Sequence, residues 1–204
     1  MISAKTALER LKAGNERFVT DQCLGNNTHR QRRSETVSKQ EPVAIILGCS
    51  DSRVPAEIVF DQGLGDLFVI RVAGNVVAPS QVGSIEFAVE RFGTELVVVL
   101  GHSCCGAVAA TLGELQNPST HRSPALHSIV DRIRPSVETL LETRLRDDPD
   151  ELLHFAIRAN IRSAVNQLQR GSHILERLVN SGKLVVVGAS YSLETGCVEF
   201  LDTI

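Results

Sequence analysis

Four short runs, Val43 to Leu47, Leu67 to Val72, Glu95 to Leu100 and Lys183 to Val187, are almost wholly aliphatic. A strand that is apolar on every residue needs cover on both of its faces, which an antiparallel sheet open to water does not provide. The cover is present between the runs, as segments of helical character at Ala56 to Phe60, Gln81 to Phe92 and Gly106 to Leu115, and along a stretch from about Ser123 to Ser181 broken near Asp148-Pro149. Within that stretch Leu153, Ala156, Ile157, Ile161, Ala164, Val165 and Leu168 recur at three- and four-residue intervals, an amphipathic face. This alternation predicts an α/β fold with a central, mostly parallel β-sheet flanked by helices. A final run, Cys197 to Leu201, follows the turn Glu194-Thr195-Gly196 and is expected to form a C-terminal edge strand.

The first forty residues differ in character. Ser3 is placed to cap a helix whose Ala7, Leu8, Leu11 and Phe18 fall near helical spacing, and Gly25 to Lys39 is polar enough to be a loop or a weakly packed helix. Residues 1–40 are therefore expected to be a peripheral helical arm on a single domain spanning 1–204, and His29, Arg30, Arg32 and Arg33 a solvated face or an intersubunit contact. With 21 Lys+Arg against 24 Asp+Glu and a net charge of -3, no basic field draws this chain to nucleic acid or to an anionic membrane. No segment approaches a membrane span, and MISAKTALERLKAGNERF lacks the apolar stretch of a signal peptide, so a cytoplasmic location is expected. Five cysteines suit reduced thiols rather than a disulfide framework. Cys23 and Cys197 read as buried filler, and Cys104 as a thiol buried or turned away.

Two runs end alike. IILGCSD carries Gly48-Cys49 and VVLGHSCCG carries Gly101-His102, each leading toward a helix. Carboxyl ends of parallel strands form the crevice where such sheets bind ligands, so Cys49 and His102 meet if their strands are neighbours. Cys105 lies three residues beyond His102, a spacing at which both reach one ion. Two thiolates and an imidazole select zinc, and three strong protein ligands leave the fourth position to water or to Asp51. Water so placed has its pKa lowered toward about 7. In an extended segment Asp51 and Arg53 point to the same side and can pair. A guanidinium gripping the carboxylate holds it off the metal, and releasing it lets Asp51 close the site.

The C-x-D-x-R of Cys49 to Arg53 followed by the H-x-x-C of His102 to Cys105 resembles the β-class carbonic anhydrases, and the likeness extends through GCSDSRVPAEIVFDQGLGDLFVIRVAGN and GSIEFAVERFGTELVVVLGHSCCGAV. The resemblance implies Zn2+ on Cys49, His102 and Cys105, with Asp51 joining them only in a closed state. It implies reversible hydration of carbon dioxide to bicarbonate and a proton by attack of zinc-bound hydroxide, with Asp51, Arg53 and Gln40 catalytic and Phe87 and Gly106 lining the substrate pocket. It also implies a homodimer or a dimer-based higher oligomer in which residues 1–40 pack on a partner subunit. Some family members hold bicarbonate at a second site built from Trp, Arg and Tyr. Arg71 and Tyr191 match two of these, but Ile46 stands in the tryptophan position and the chain contains no Trp, so no such inhibition is expected.

Two other functions share these features. A carbonyl sulfide or carbon disulfide hydrolase keeps the metal set and changes the pocket. A non-catalytic, zinc-stabilised bicarbonate sensor keeps Asp51 permanently on the metal, but gives Arg53 no task.

Overall fold

Each aliphatic run becomes a strand of one sheet, and pairing rather than local composition decides where the strands stop. The computed structural model describes residues 2–25, 30–118 and 123–201. Its strands are β1 (Ala44–Gly48), β2 (Leu67–Arg71), β3 (Leu96–His102), β4 (Val185–Tyr191) and β5 (Val198–Phe200), in the order β2-β1-β3-β4-β5. The first four are parallel, and β5 runs antiparallel to β4 at the edge. The expected mostly parallel α/β sheet with a C-terminal edge strand is what the chain forms.

β3 and β4 both extend further than the aliphatic runs suggest. Their register is continuous from Leu96↔Val185 to His102↔Tyr191, so the ladder carries β4 through the small residues Gly188, Ala189 and Ser190. That extension brings His102 to the end of a paired strand.

The helices are α1 (Ala4–Val19), α2 (Arg30–Thr36), α3 (Ala56–Val59), α4 (Pro79–Phe92), α5 (Gly106–Gln116), α6 (Pro124–Val137), α7 (Pro149–Arg170) and α8 (His173–Asn180). Asp148 ends the preceding 3₁₀ turns and caps α7 by accepting from Glu151 N–H, with Pro149 in the first helical position, which accounts for the break in the long helical stretch. Alternation along the strands divides the core in two. Ile45, Leu47, Val97 and Val99 face α4, α5, α6 and α7, whereas Ile46, Val98 and Leu100 face α1 and α3. At the top of β3 the α7 helix presses so closely that a Cβ on Gly101 would lie 2.5 Å from Ile161 Cδ1. Only glycine fits there, immediately before His102.

The N-terminal segment is less peripheral than its composition suggests. Ala4, Ala7, Leu8 and Leu11 of α1 are buried against this chain's own sheet in the same core as Ile46 and Phe60. Asn15, 7% exposed, donates to Val59 O and Gly196 O and accepts from Val198 N–H, tying α1 to α3 and β5. The stripe is short and built partly of alanines, so its apolar face is easy to underrate. By contrast α2 buries none of its residues, and Arg32 fastens it by donating to Asp66 and to Leu64 O. His29 lies outside the described residues.

Candidate metal centre

Three segments deliver the candidate ligands. Cys49 follows the last residue of β1, His102 ends β3, and Cys105 occupies the N-cap of α5. Because β1 and β3 pair in parallel with Gly48 opposite Leu100, both strands expose their ends on the same side of the sheet. Cys104 adopts φ 56°, a left-handed kink that separates its exposed thiol from the buried one of Cys105. Cys23 and Cys197 are also exposed rather than buried: both lie in loops outside the two cores.

The ligand atoms of Cys49, His102 and Cys105 all lie within 4.8 Å of one another, and the three residues are 5%, 0% and 1% exposed. His102 Nδ1 lies 2.9 Å from Ser103 O. As the donor in that contact Nδ1 carries the proton, which leaves the lone pair of Nε2 facing the sulfurs. Nε2 is buried and makes no hydrogen bond. An unpaired acceptor nitrogen beside two thiols, with water excluded, is a poor core arrangement and a good seat for a thiophilic divalent cation.

The charges within the cluster are coupled. The hydrogen bond from Cys105, and then the nearby His102 ring, pull the Cys49 thiol down to about 4 against the effect of burial, whereas the same bond to Cys49, together with burial, pushes the Cys105 thiol up. Burial pulls His102 down, but the adjacent Cys49 sulfur and its charge, the Ser103 carbonyl and Asp51 together leave it above its ordinary value. One thiolate is thus already favoured before any cation neutralises the second. A further N–H, that of Gly74, points at Cys49 Sγ from 3.4 Å.

Asp51 stands beside this cluster, its Oδ2 3.9 Å from His102 Nε2. Arg53 holds it with a two-pronged grip, Nε donating to Oδ1 at 2.9 Å and a terminal nitrogen to Oδ2 at 2.8 Å, while the Arg53 backbone N–H donates to Oδ1 at 3.0 Å. The Arg53 hydrogen bonds keep the carboxyl well below the usual carboxylate range. Arg71 is engaged elsewhere: its guanidinium donates to the carbonyls of Cys49 and Asp51 and braces the loop between them. The brace depends on contacts between residues about twenty positions apart, which spacing alone does not reveal.

Gly106 opens α5 next to Cys105, with nothing within 4 Å of where its Cβ would be. Gln40 and Phe87 are not brought to the cluster within one chain. Gln40 precedes the amino end of β1 and Cys49 follows its carboxyl end, so roughly 16 Å of strand separates them at about 3.3 Å per residue. Gln40 and Phe87 instead share a cavity of about 480 Å³ with Val37, Arg91 and Phe92. Phe87 and Val37, 54% and 85% exposed, are apolar side chains left open to solvent in this otherwise polar cavity.

The sequence profile of the carbonic anhydrase family matches residues 44–198. A carbonic anhydrase of Mycolicibacterium smegmatis is 42% identical over 194 residues, covering 95% of this chain and 91% of that protein. Among solved structures, the β-carbonic anhydrase CafA of Aspergillus fumigatus superposes with a TM-score of 0.74 at 27% identity, covering 97% of this chain and 90% of that one. One of two β-carbonic anhydrases of Sordaria macrospora, described as tetrameric, superposes with a TM-score of 0.72 at 21% identity, covering 97% and 98%.

Proposed function

The chain belongs to the carbonic anhydrase family, in its β class, and from that premise we propose how its residues divide the work of the reaction. The enzyme is a zinc-dependent carbonate dehydratase that interconverts carbon dioxide and water with bicarbonate and a proton. Cys49, His102 and Cys105 would hold the zinc, which would supply the positive charge that makes water nucleophilic near neutral pH. The observation that carries this assignment is the buried, unpaired Nε2 of His102 between two thiols, with a restrained carboxylate beside it.

Asp51 accepts a hydrogen bond from the attacking water and orients its lone pair toward the carbon of CO2. Arg53 keeps that carboxylate ionised and held to its own guanidinium, so that Asp51 would not take the place of water on a bound ion. The absent Cβ of Gly106 leaves room for a linear substrate beside Cys105. As the water oxygen bonds to carbon, one C=O bond becomes C–O⁻, and the departing proton passes to solvent.

Gln40 and Phe87 serve the metal centre of a second copy, Gln40 donating to a substrate oxygen and Phe87 giving the pocket an apolar wall. Their separation from this chain's own cluster and the exposed Phe87 and Val37 support a homodimer or a dimer-based oligomer, in which residues 1–40 contribute to the contact between subunits. Among the described residues no helix is long and apolar enough to cross a membrane, and all five cysteines are free, in keeping with a reducing, cytoplasmic setting.

Stopped-flow CO2 hydration measured with zinc content on one sample tests the assignment. Rapid turnover proportional to bound zinc is the expected result. A zinc-loaded protein inert to CO2 that releases sulfide from carbonyl sulfide or carbon disulfide overturns it. The shared site is tested by mixing copies. Gln40→Ala and His102→Ala chains, each impaired alone, are expected to recover turnover when dissociated and reassociated together, because a mixed dimer pairs an intact ligand set with an intact Gln40. Failure to recover, with mixed oligomers present, places Gln40 outside the partner's site.

A further inference from the structure

Asn160 interrupts the core-facing stripe of α7, lying among Ala156, Ile157, Ile161 and Ala164, and is only 3% exposed. An amide in such surroundings is costly unless it is paired. Its Nδ2 donates to Gly74 O at 2.8 Å, across 86 residues of sequence. That carbonyl belongs to the short 3₁₀ turn Ala73–Asn75, where Gly74 has φ 68° and Asn75 φ 44°.

The turn is an expensive arrangement. Asn75 is held in a left-handed conformation that favours glycine, and its own side-chain nitrogen is buried without a hydrogen-bond partner. A Cβ on Gly74 would meet Ile133 Cδ1 at 2.8 Å and Ala107 Cβ at 3.1 Å, so the backbone is wedged as well as strained. Strain of this kind persists where surrounding contacts over-determine it, and it gathers at functional sites. What the turn delivers is the Gly74 N–H, aimed at the sulfur of Cys49.

We propose that Asn160 is a positioning residue of the metal centre: by gripping the Gly74 carbonyl it locks the strained turn whose N–H donates to Cys49 Sγ, and so sets the aim and donor strength of that ligand. The proposal rests on the zinc lyase assignment and extends it to a helix that supplies no ligand. Residues that orient a metal ligand through a hydrogen bond commonly matter to metal affinity almost as much as the ligands themselves. The same helix seats Ile161 against Gly101, next to His102, so α7 braces two of the three ligand-bearing segments.

The test compares Asn160→Leu, which keeps a branched side chain of similar size without the donor, with Ile157→Val, which loosens the same stripe without touching Gly74. Zinc affinity is measured by chelator competition, and the cobalt-substituted forms report the sulfur-to-metal charge-transfer band. Asn160→Leu is expected to weaken zinc binding by about ten- to hundredfold and to shift the band, while Ile157→Val leaves both at wild-type values. Asn160→Ser, small enough to fit if leucine prevents folding, is expected to move both in the same direction. A folded Asn160 variant with wild-type affinity and an unmoved band overturns the role of Asn160, as does an equal shift from Ile157→Val. A wild-type protein that retains no zinc overturns the metal assignment itself, and this proposal with it.

Discussion

Alanine at His102 is expected to give a chain that retains no zinc and hydrates CO2 no faster than the uncatalysed background. His102 contributes the nitrogen donor of the set, is fully buried, and has its ring fixed through the contact between Nδ1 and Ser103 O. Without it, two thiols remain around a small cavity, one of which favours its protonated form through its hydrogen bond to the other and through burial. Two thiols are one ligand short of the three protein ligands of a catalytic zinc site. Cys49→Ala and Cys105→Ala are expected to behave alike, since each removes one sulfur from the same triangle. Metal analysis and stopped-flow kinetics on the same preparation check the result, and a His102→Ala enzyme retaining both zinc and turnover refutes the assigned ligand set.

Arg53→Ala is expected to separate metal binding from catalysis. Zinc content stays at the wild-type level, because Arg53 contributes nothing to the buried triangle, while kcat/KM falls by about 10²-fold, in the range for losing a positioned proton acceptor. Removing the guanidinium takes both side-chain hydrogen bonds from Asp51, so its carboxyl rises back toward the ordinary range and its oxygens are free to turn toward the metal position. Arg53→Lys is expected to fall between the two, since an ammonium offers a point charge instead of a planar fork. Full activity in Arg53→Ala, with zinc unchanged, refutes the restraint assigned to Arg53.

Much of this arrangement is legible in the chain because its signals are local. Gly48-Cys49 and Gly101-His102 each close an aliphatic run, and once the runs are read as adjacent parallel strands, the ligands meet with little further information. Asp51 and Arg53 pair across two residues, within the reach of simple strand geometry. The features that escape such reading depend on distant partners. The second half of β4 is a strand because β3 pairs with it, although its own Gly188, Ala189 and Ser190 have little β-character. The first helix joins its own chain's core through Ala4, Ala7, Leu8 and Leu11, a stripe too modest to stand out against the charges around it. Asn160 is a polar interruption in an amphipathic pattern until Gly74, 86 residues away, gives it a partner.

The placement of Cys49 and His102 on separate parallel strands has a kinetic consequence. They become neighbours when β1 pairs in parallel with β3, a non-local contact that spans the intervening β2 and α4 and is slow to form for that reason. The cation is accordingly expected to bind after folding, in contrast to small zinc domains that are unfolded without their metal. The sheet and its covering helices carry their own two apolar cores, so the metal-free chain is expected to fold and to take up zinc afterwards.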